Sequence, residues 1–168
     1  MTDTVRKGQR LSKAVLIATL AHDGQLDKGG KPYIMHPLTV LYKLKSDDED
    51  LQCAAVLHDV IEDCSGKVIY VGGQLKEISF DMLREEGISE RTIAAVCALT
   101  KMPGQSYTEY QAAVLANRDA MLVKREDLRT NSDLRRLKNR KITDKDIARV
   151  AKYMAFYATI EQTLEEIS

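Results

Sequence analysis

The chain has 168 residues, with 25 lysines and arginines against 25 aspartates and glutamates, so its formal net charge at neutrality is zero. A hydrophobic fraction of 44% with 30% charged residues excludes wholesale disorder, and a chain of this length buries roughly 70% of the surface that its unfolded form exposes. Balanced charge also excludes a global electrostatic footprint for nucleic acid or an anionic membrane, so a polyanionic ligand has to be held locally.

The longest apolar stretch, Ala14 to Ala21 with Thr19 inside it, is far shorter than the ~20 residues of a spanning helix. The polar start Met1-Thr2-Asp3-Thr4-Val5 leads into no signal-peptide core, and the expected location is the cytoplasm. Cys53, Cys64 and Cys97 lack any Cys-x-x-Cys spacing, which argues for reduced, mostly buried thiols rather than a disulfide framework or a thiolate zinc site.

Apolar residues recurring at three-to-four spacing predict an all-α fold in one domain covering residues 1–168. A first helix is expected from Val5 to His22, with Leu11, Ala14, Val15, Leu16 and Ala18 toward the core. The glycine-containing stretch Gln25 to Lys31 stops it, and Pro37 marks the first turn of a second helix starting just after His36. A third helix, Glu49 to Asp63, carries Leu51, Ala54, Ala55, Leu57 and Ile61 and reads as central. Lys67–Val71 and Gln74–Ile78 flank Gly72-Gly73, the signal for a small β-hairpin insertion. Its place next to Glu62-Asp63 suits a lid or a tolerated surface excursion equally well.

Ser79 and Ser89 are expected caps of two further helices, with Gly87 ending the first. After Pro103-Gly104, helices are predicted over Tyr107–Asn117 and Arg118–Asn131. The last helix opens on a Thr143/Asp146 capping box and carries Ile147, Val150, Met154, Tyr157, Ile160 and Leu164 as its expected core stripe. The basic run Arg135 to Lys141 is offset by acidic residues after it and reads as a solvated turn.

Chemistry concentrates around two of the three histidines. Val56-Leu57-His58-Asp59-Val60-Ile61-Glu62-Asp63 puts four polar groups into an otherwise apolar segment, and buried ionisable groups need partners. On one continuous helix His58 and Glu62 share a face, as do Asp59 and Asp63. Imidazole and carboxylate together suit a divalent metal of intermediate hardness, manganese, iron or zinc. His36 is the candidate second imidazole, and Asp127, on a helical face with Asn131, the candidate fourth ligand. His22, without a carboxylate pattern, reads as a locally packed histidine.

These segments resemble the His-Asp (HD) domain metallohydrolases, and among them the small alarmone hydrolases and the hydrolase domains of RelA/SpoT-type proteins. The resemblance rests on Ala21-His22-Asp23-Gly24-Gln25, Gly30-Lys31-Pro32-Tyr33-Ile34-Met35-His36-Pro37-Leu38 and Leu57 through Asp63, with weaker blocks at Ala98-Leu99-Thr100-Lys101 and Val123-Lys124 through Asn131. It implies an HD-domain helical bundle with one divalent ion, usually manganese, held by His36, His58, Asp59 and Asp127. It implies Glu62 and Asp63 as the catalytic pair handling the attacking water, with Lys28, Lys101 and Asn131 binding substrate. The implied reaction removes the 3′-pyrophosphate of guanosine tetra- or pentaphosphate, a small phosphorylated nucleotide, with no nucleic-acid or membrane partner. The alternatives are another nucleotide phosphohydrolase or phosphodiesterase, or a non-catalytic nucleotide-sensing module.

Two departures bear on substrate. Asp27-Lys28 stands where the family often has Arg-Lys, and Leu128 through Leu134 alters residues around Asn131 that face nucleotide in the family. Asp27 either enters the pocket and selects against highly anionic substrates or points to solvent. Glu62 and Asp63 read otherwise as a solvated helix end, although carboxylates there oppose the helix dipole; Lys28, Lys31 and Lys101 taken singly read as surface cations.

Overall fold

The computed structural model describes residues 6–138 and 140–167. It is a helical bundle with one β-hairpin, in the order α1 (Gln9–Ala21), α2 (Met35–Leu44), α3 (Glu49–Leu57), α4 (Val60–Cys64), β1 (Val68–Val71), β2 (Gln74–Glu77), α5 (Phe80–Glu85), α6 (Glu90–Leu99), α7 (Tyr107–Leu115), α8 (Arg118–Asn131), a 3-10 turn (Leu134–Leu137) and α9 (Asp144–Glu166). The all-α expectation with a hairpin insertion holds. Val5, the expected start of the first helix, lies outside the described residues, as does Asn139 of the basic run.

Helix starts follow the side-chain caps that the sequence offers. Asp48 accepts from the N–H groups of Asp50 and Leu51 to start α3, Ser79 from Met82 to start α5, and Ser89 from Thr92 to start α6. Ser106 with Glu109 and Thr143 with Asp146 form reciprocal capping boxes on α7 and α9. Asn117 does not end α7, as expected, but caps α8 by accepting from the Ala120 N–H. In the hairpin Val71 pairs with Gln74 and Val68 with Glu77, and Gly72 and Gly73 take φ of 61° and 81°, which two-residue turns of this hand require.

The core has two parts that meet on α3. Ile17, Leu57, Val60, Ile78 and Leu83 centre one, against α1, the hairpin and α5; Val40, Ala54, Met121, Phe156 and Ile160 centre the other, against α2, α8 and α9. Each such Leu or Ile, fully withdrawn from water, contributes about 1.5–3 kcal/mol. Leu51, Ala54, Ala55, Leu57 and Ile61 are all buried, as expected of a central segment.

The expected outer helices are corrected in detail. Leu16 is 46% exposed, because the buried face of α1 runs through Ala14, Ile17, Ala18 and Ala21. On α9, Ile147 and Met154 are exposed, and the buried stripe is Asp146, Phe156, Ile160 and Leu164. Phe156 sets that orientation by packing edge-on against Tyr107, ring centroids 6.2 Å apart. Cys53 and Cys64 are buried, whereas Cys97 is exposed; all three are free thiols.

The most consequential correction is in the third predicted helix. Glu49 to Asp63 is not continuous: α3 ends at Leu57, and α4 begins at Val60. Asp59, at φ −103° and ψ −5°, leaves the helical path. The His58 imidazole donates from Nδ1 to the Ala55 carbonyl at 2.8 Å, a side chain occupying a backbone acceptor of the last turn of α3. The break points His58 and Asp59 toward α2 and α8.

Candidate metal centre

Three elements converge at this break. α2 brings His36 in its first turn, the α3–α4 junction brings His58 and Asp59, and α8 brings Asp127. His36, His58 and Asp59 each offer a ligand atom, all within 4.8 Å of one another. His36 Nε2 lies 3.0 Å from Asp127 Oδ1 and 3.7 Å from Asp59 Oδ2; His58 Nε2 lies 3.0 Å from Asp59 Oδ2 and 3.7 Å from Asp127 Oδ1. The four residues predicted from sequence are therefore brought together.

The donor set fits a divalent cation. Because His58 donates through Nδ1 to a backbone carbonyl, its neutral form presents the Nε2 lone pair to the carboxylates, and Nε2 is a buried atom without a hydrogen-bond partner. Two neutral imidazoles and two carboxylates carry two negative charges, which one divalent ion balances. The same field acts on protons. Burial pushes His58 down, but Asp59 and Asp127 outweigh it and raise its pKa well above the ordinary value. Burial likewise pushes Asp127 up, yet the Lys124 ammonium, 2.7 Å from Oδ2, and the two imidazoles hold it well below the usual carboxylate range. Asp59 is brought down to about 2, its burial outweighed by His58.

Outside the four-residue cluster, a cavity of about 360 Å³ is lined by Lys28, Tyr33, Asp59, Glu62, Asp63, Lys124, Asp127, Asn131, Arg136, Arg149 and Tyr153, among others. Glu62 and Asp63 thus face one chamber with Asp59 and Asp127. Removal of solvent raises the Glu62 pKa, opposed by the Lys101 backbone N–H, which donates to Oε1 at 2.7 Å. Lys28 stands at the lining, as expected, and burial lowers its pKa with help from Arg149 and Arg136 nearby. Asn131 donates to Asp127 Oδ1 at 2.6 Å and accepts from Arg136. Lys101 meets the site through its backbone alone; its exposed side chain is not part of the cavity lining.

Several contributors were not singled out in sequence. Tyr33 donates from its hydroxyl to Asp59 Oδ2 at 2.6 Å, and its position three residues before His36 gave no periodic clue. Lys124 is readable in retrospect, one helical turn before Asp127. Arg149 and Tyr153, four apart on α9, look like any polar helix face until the bundle turns them inward. The basic run, expected as a solvated turn, instead forms the 3-10 turn whose Leu137 is buried and whose Arg136 lines the cavity.

Asp27 also lines the cavity, but its Oδ1 accepts from the N–H groups of Gly29 and Lys31 at 2.8 and 2.9 Å. It closes the loop that presents Lys28. Gly29 is required there, since a Cβ would stand 2.5 Å from the Arg136 carbonyl oxygen.

Residues 14–131 match the HD domain family, and the chain belongs to it. Among curated proteins, it is similar to guanosine-3′,5′-bis(diphosphate) 3′-pyrophosphohydrolase of Vibrio cholerae, 48% identical over 59 residues, which are 33% of this chain and 8% of that protein. The bifunctional (p)ppGpp synthase/hydrolase SpoT of Escherichia coli K12 is 52% identical over 58 residues, 33% of this chain and 8% of its own. A guanosine-3′,5′-bis(diphosphate) 3′-pyrophosphohydrolase of Aquifex aeolicus is 30% identical over 106 residues, 62% of this chain and 13% of that protein. The matched stretches are thus a small fraction of these relatives. Among the described residues no helix is long and apolar enough to cross a membrane.

Proposed function

We propose that the chain is a metal-dependent phosphohydrolase that removes the 3′-pyrophosphate from guanosine tetra- or pentaphosphate in the cytoplasm. The observation that carries this reading is the convergence of two imidazole nitrogens and two carboxylates beside a chamber whose lining includes Asp59, Asp127, Glu62 and Asp63. His36, His58, Asp59 and Asp127 would hold one divalent ion, manganese by resemblance, with iron and zinc suited to the same donors. Such an ion, when bound, supplies Lewis acidity toward phosphoryl oxygens and makes water more acidic.

The chain's own residues do the rest. Glu62 and Asp63 orient water and accept its proton, the raised pKa of Glu62 bringing it closer to the working pH of a general base. Lys28 and Asn131 meet the substrate, and the Lys101 N–H fixes Glu62. Tyr33 donates to Asp59 and orients it, and the Lys124 ammonium compensates the charge of Asp127.

A second reading, another phosphorylated nucleotide at the same centre, is favoured by Asp27 and Asp133, carboxylates of the lining where a highly phosphorylated guanosine calls for cations. One experiment tests both. The purified protein with manganese is offered guanosine tetraphosphate, cyclic nucleotides and nucleoside mono- and triphosphates, and metal content is measured for the wild type, His58→Ala and Asp127→Ala. Pyrophosphate release from guanosine tetraphosphate, lost together with the metal in both variants, is the expected result. Full metal content and turnover in both variants would overturn the assignment, and turnover of a different nucleotide alone would select the second reading.

A further inference from the structure

The turn between α1 and α2 contains a hydrogen-bonded chain that the mechanism above leaves unused. His22, only 2% exposed, ends α1, and its Nδ1 lies 2.8 Å from Gln25 Oε1. Gln25 in turn donates from Nε2 to Asp63 Oδ2 at 2.9 Å. We propose that Gln25, held by His22, is the positioning residue for the Asp63 carboxylate. The inference rests on the reading of Asp63 as a group that handles water.

The physical argument is one of donors and acceptors. Asp63 is exposed, and among the described residues Gln25 supplies the one side-chain hydrogen bond to its carboxylate. An exposed aspartate with a single partner takes its orientation from that partner. A carboxylate only accepts, so Gln25 must present its amide NH2 to Asp63 and its carbonyl oxygen away. That oxygen then needs a donor behind it; the imidazole Nδ1–H at 2.8 Å is the near one, and the Cys64 thiol, with Sγ at 3.9 Å, is a weak second. Burial lowers the His22 pKa, which favours the neutral ring, and the amide orientation set by Asp63 then places its single proton on Nδ1. If His22 carried the proton on Nε2 instead, Nδ1 would repel Oε1 and the amide would turn over, placing oxygen against oxygen at Asp63.

The turn is built to keep this geometry. The Gln25 N–H donates to the His22 carbonyl at 3.0 Å, and the Tyr33 N–H donates to the Gln25 carbonyl at 2.8 Å. Gly24 takes φ of 77°, a left-handed step that favours glycine. Lys67 donates to the carbonyls of Ala21 and Asp23 at 2.9 and 3.0 Å, tying the same turn to the start of the hairpin. The His22 ring packs on Tyr33 with centroids 4.8 Å apart, and Tyr33 is the residue that donates to Asp59. One turn therefore orients two carboxylates, Asp59 at the break and Asp63 within α4.

The test uses Gln25→Met, Asp63→Asn and the double variant, with guanosine tetraphosphate and manganese as the probe, together with nitrogen NMR of the His22 ring. Gln25→Met should lower kcat tenfold or more with KM within about twofold and manganese affinity unchanged, since Gln25 belongs neither to the cavity lining nor to the four-residue cluster. Asp63→Asn should lose turnover, and the double variant should lose no more than Asp63→Asn alone. The wild-type His22 spectrum should show a neutral ring protonated on Nδ1, a readout that stands whether or not this nucleotide is turned over. An unchanged kcat in Gln25→Met beside an inactive Asp63→Asn overturns the positioning role and leaves that of Asp63 intact. An active Asp63→Asn overturns the reading of Asp63 itself, and a wild-type ring protonated on Nε2 overturns the hydrogen-bonded chain.

Discussion

Lys124→Met separates charge compensation from metal binding. The Lys124 ammonium sits 2.7 Å from Asp127 Oδ2, with side chains 18% and 4% exposed, and it lies over the Tyr110 ring at 5.6 Å from the centroid. Methionine keeps the stem and its packing but leaves the Asp127 carboxylate without its closest cation. Breaking a buried pair costs about 3–5 kcal/mol; the residual exposure of Lys124 brings the expectation to about 2–3 kcal/mol by the same principle. For a protein of this size that lowers Tm by roughly 5–10 °C in the presence of a chelator.

The response to manganese should move the other way. With the lysine gone, a cation at the four-residue cluster takes over its compensating role and no longer meets a like charge, so affinity should rise at least tenfold, or about 1.4 kcal/mol. At a fixed, near-saturating manganese concentration this adds roughly 3–5 °C to the metal-induced rise in Tm, on top of the wild-type shift. Thermal unfolding with chelator and with a manganese series measures both quantities on one sample. A variant whose metal-induced shift is smaller than that of the wild type would show that Lys124 serves to hold Asp127 in register for the ion, and would refute the compensation argument.

Gly29→Ala forces a Cβ to within 2.5 Å of the Arg136 carbonyl oxygen; it should move the Lys28 loop, raising KM for the nucleotide severalfold with little change in manganese affinity, and an unchanged KM would show that Lys28 does not meet substrate. Phe156→Ala, emptying a site that is 1% exposed, should cost about 3–5 kcal/mol in urea unfolding, and a loss under about 1 kcal/mol would contradict its placement at the centre of the α8–α9 core. Asp146→Asn tests acid stability: hydrogen bonds from Arg140, then from Thr143, hold the Asp146 pKa below the ordinary range, so the stabilisation is complete above that range and declines as pH falls through it. The Tm difference from wild type should be widest near pH 7 and narrow toward pH 3, and a difference that grows on acidification would reverse the sign of the argument.

Two of the four proposed ligands were legible because a buried polar group is conspicuous in an apolar segment: His58 and Asp59 stand between Leu57 and Val60, and nothing but a partner explains them there. Caps were legible for a similar reason, since Ser79, Ser89 and Thr143 precede apolar periodic runs. The break at Asp59 was not, because every residue from Glu49 to Asp63 tolerates a helix and the interruption comes from a tertiary demand on the His58 ring. Nor was the true face of α9, where Ile147 and Met154 fit the period as well as Tyr153 and Phe156 do; only the bulk of Phe156 against Tyr107 decides between them. Gln25 escaped because it acts through Asp63, far along the chain, and spacing carries no trace of such a partner; Arg136 escaped because only the 3-10 turn and its bonds to Asn131 and Thr130 bring it to the lining.

The chain order of the four proposed ligands has a consequence for biosynthesis. His36, His58 and Asp59 leave the ribosome early, whereas Asp127, which meets His36 across 91 residues, comes with α8. A nascent chain that has extruded only α1 through α4 offers two imidazoles and one carboxylate, a weaker and less discriminating set than the finished one. If these four residues hold an ion as proposed, its choice would be deferred until α8 docks onto α2 and α3, and the bundle that includes α8, rather than the first ion the emerging histidines encounter, would decide which metal is loaded.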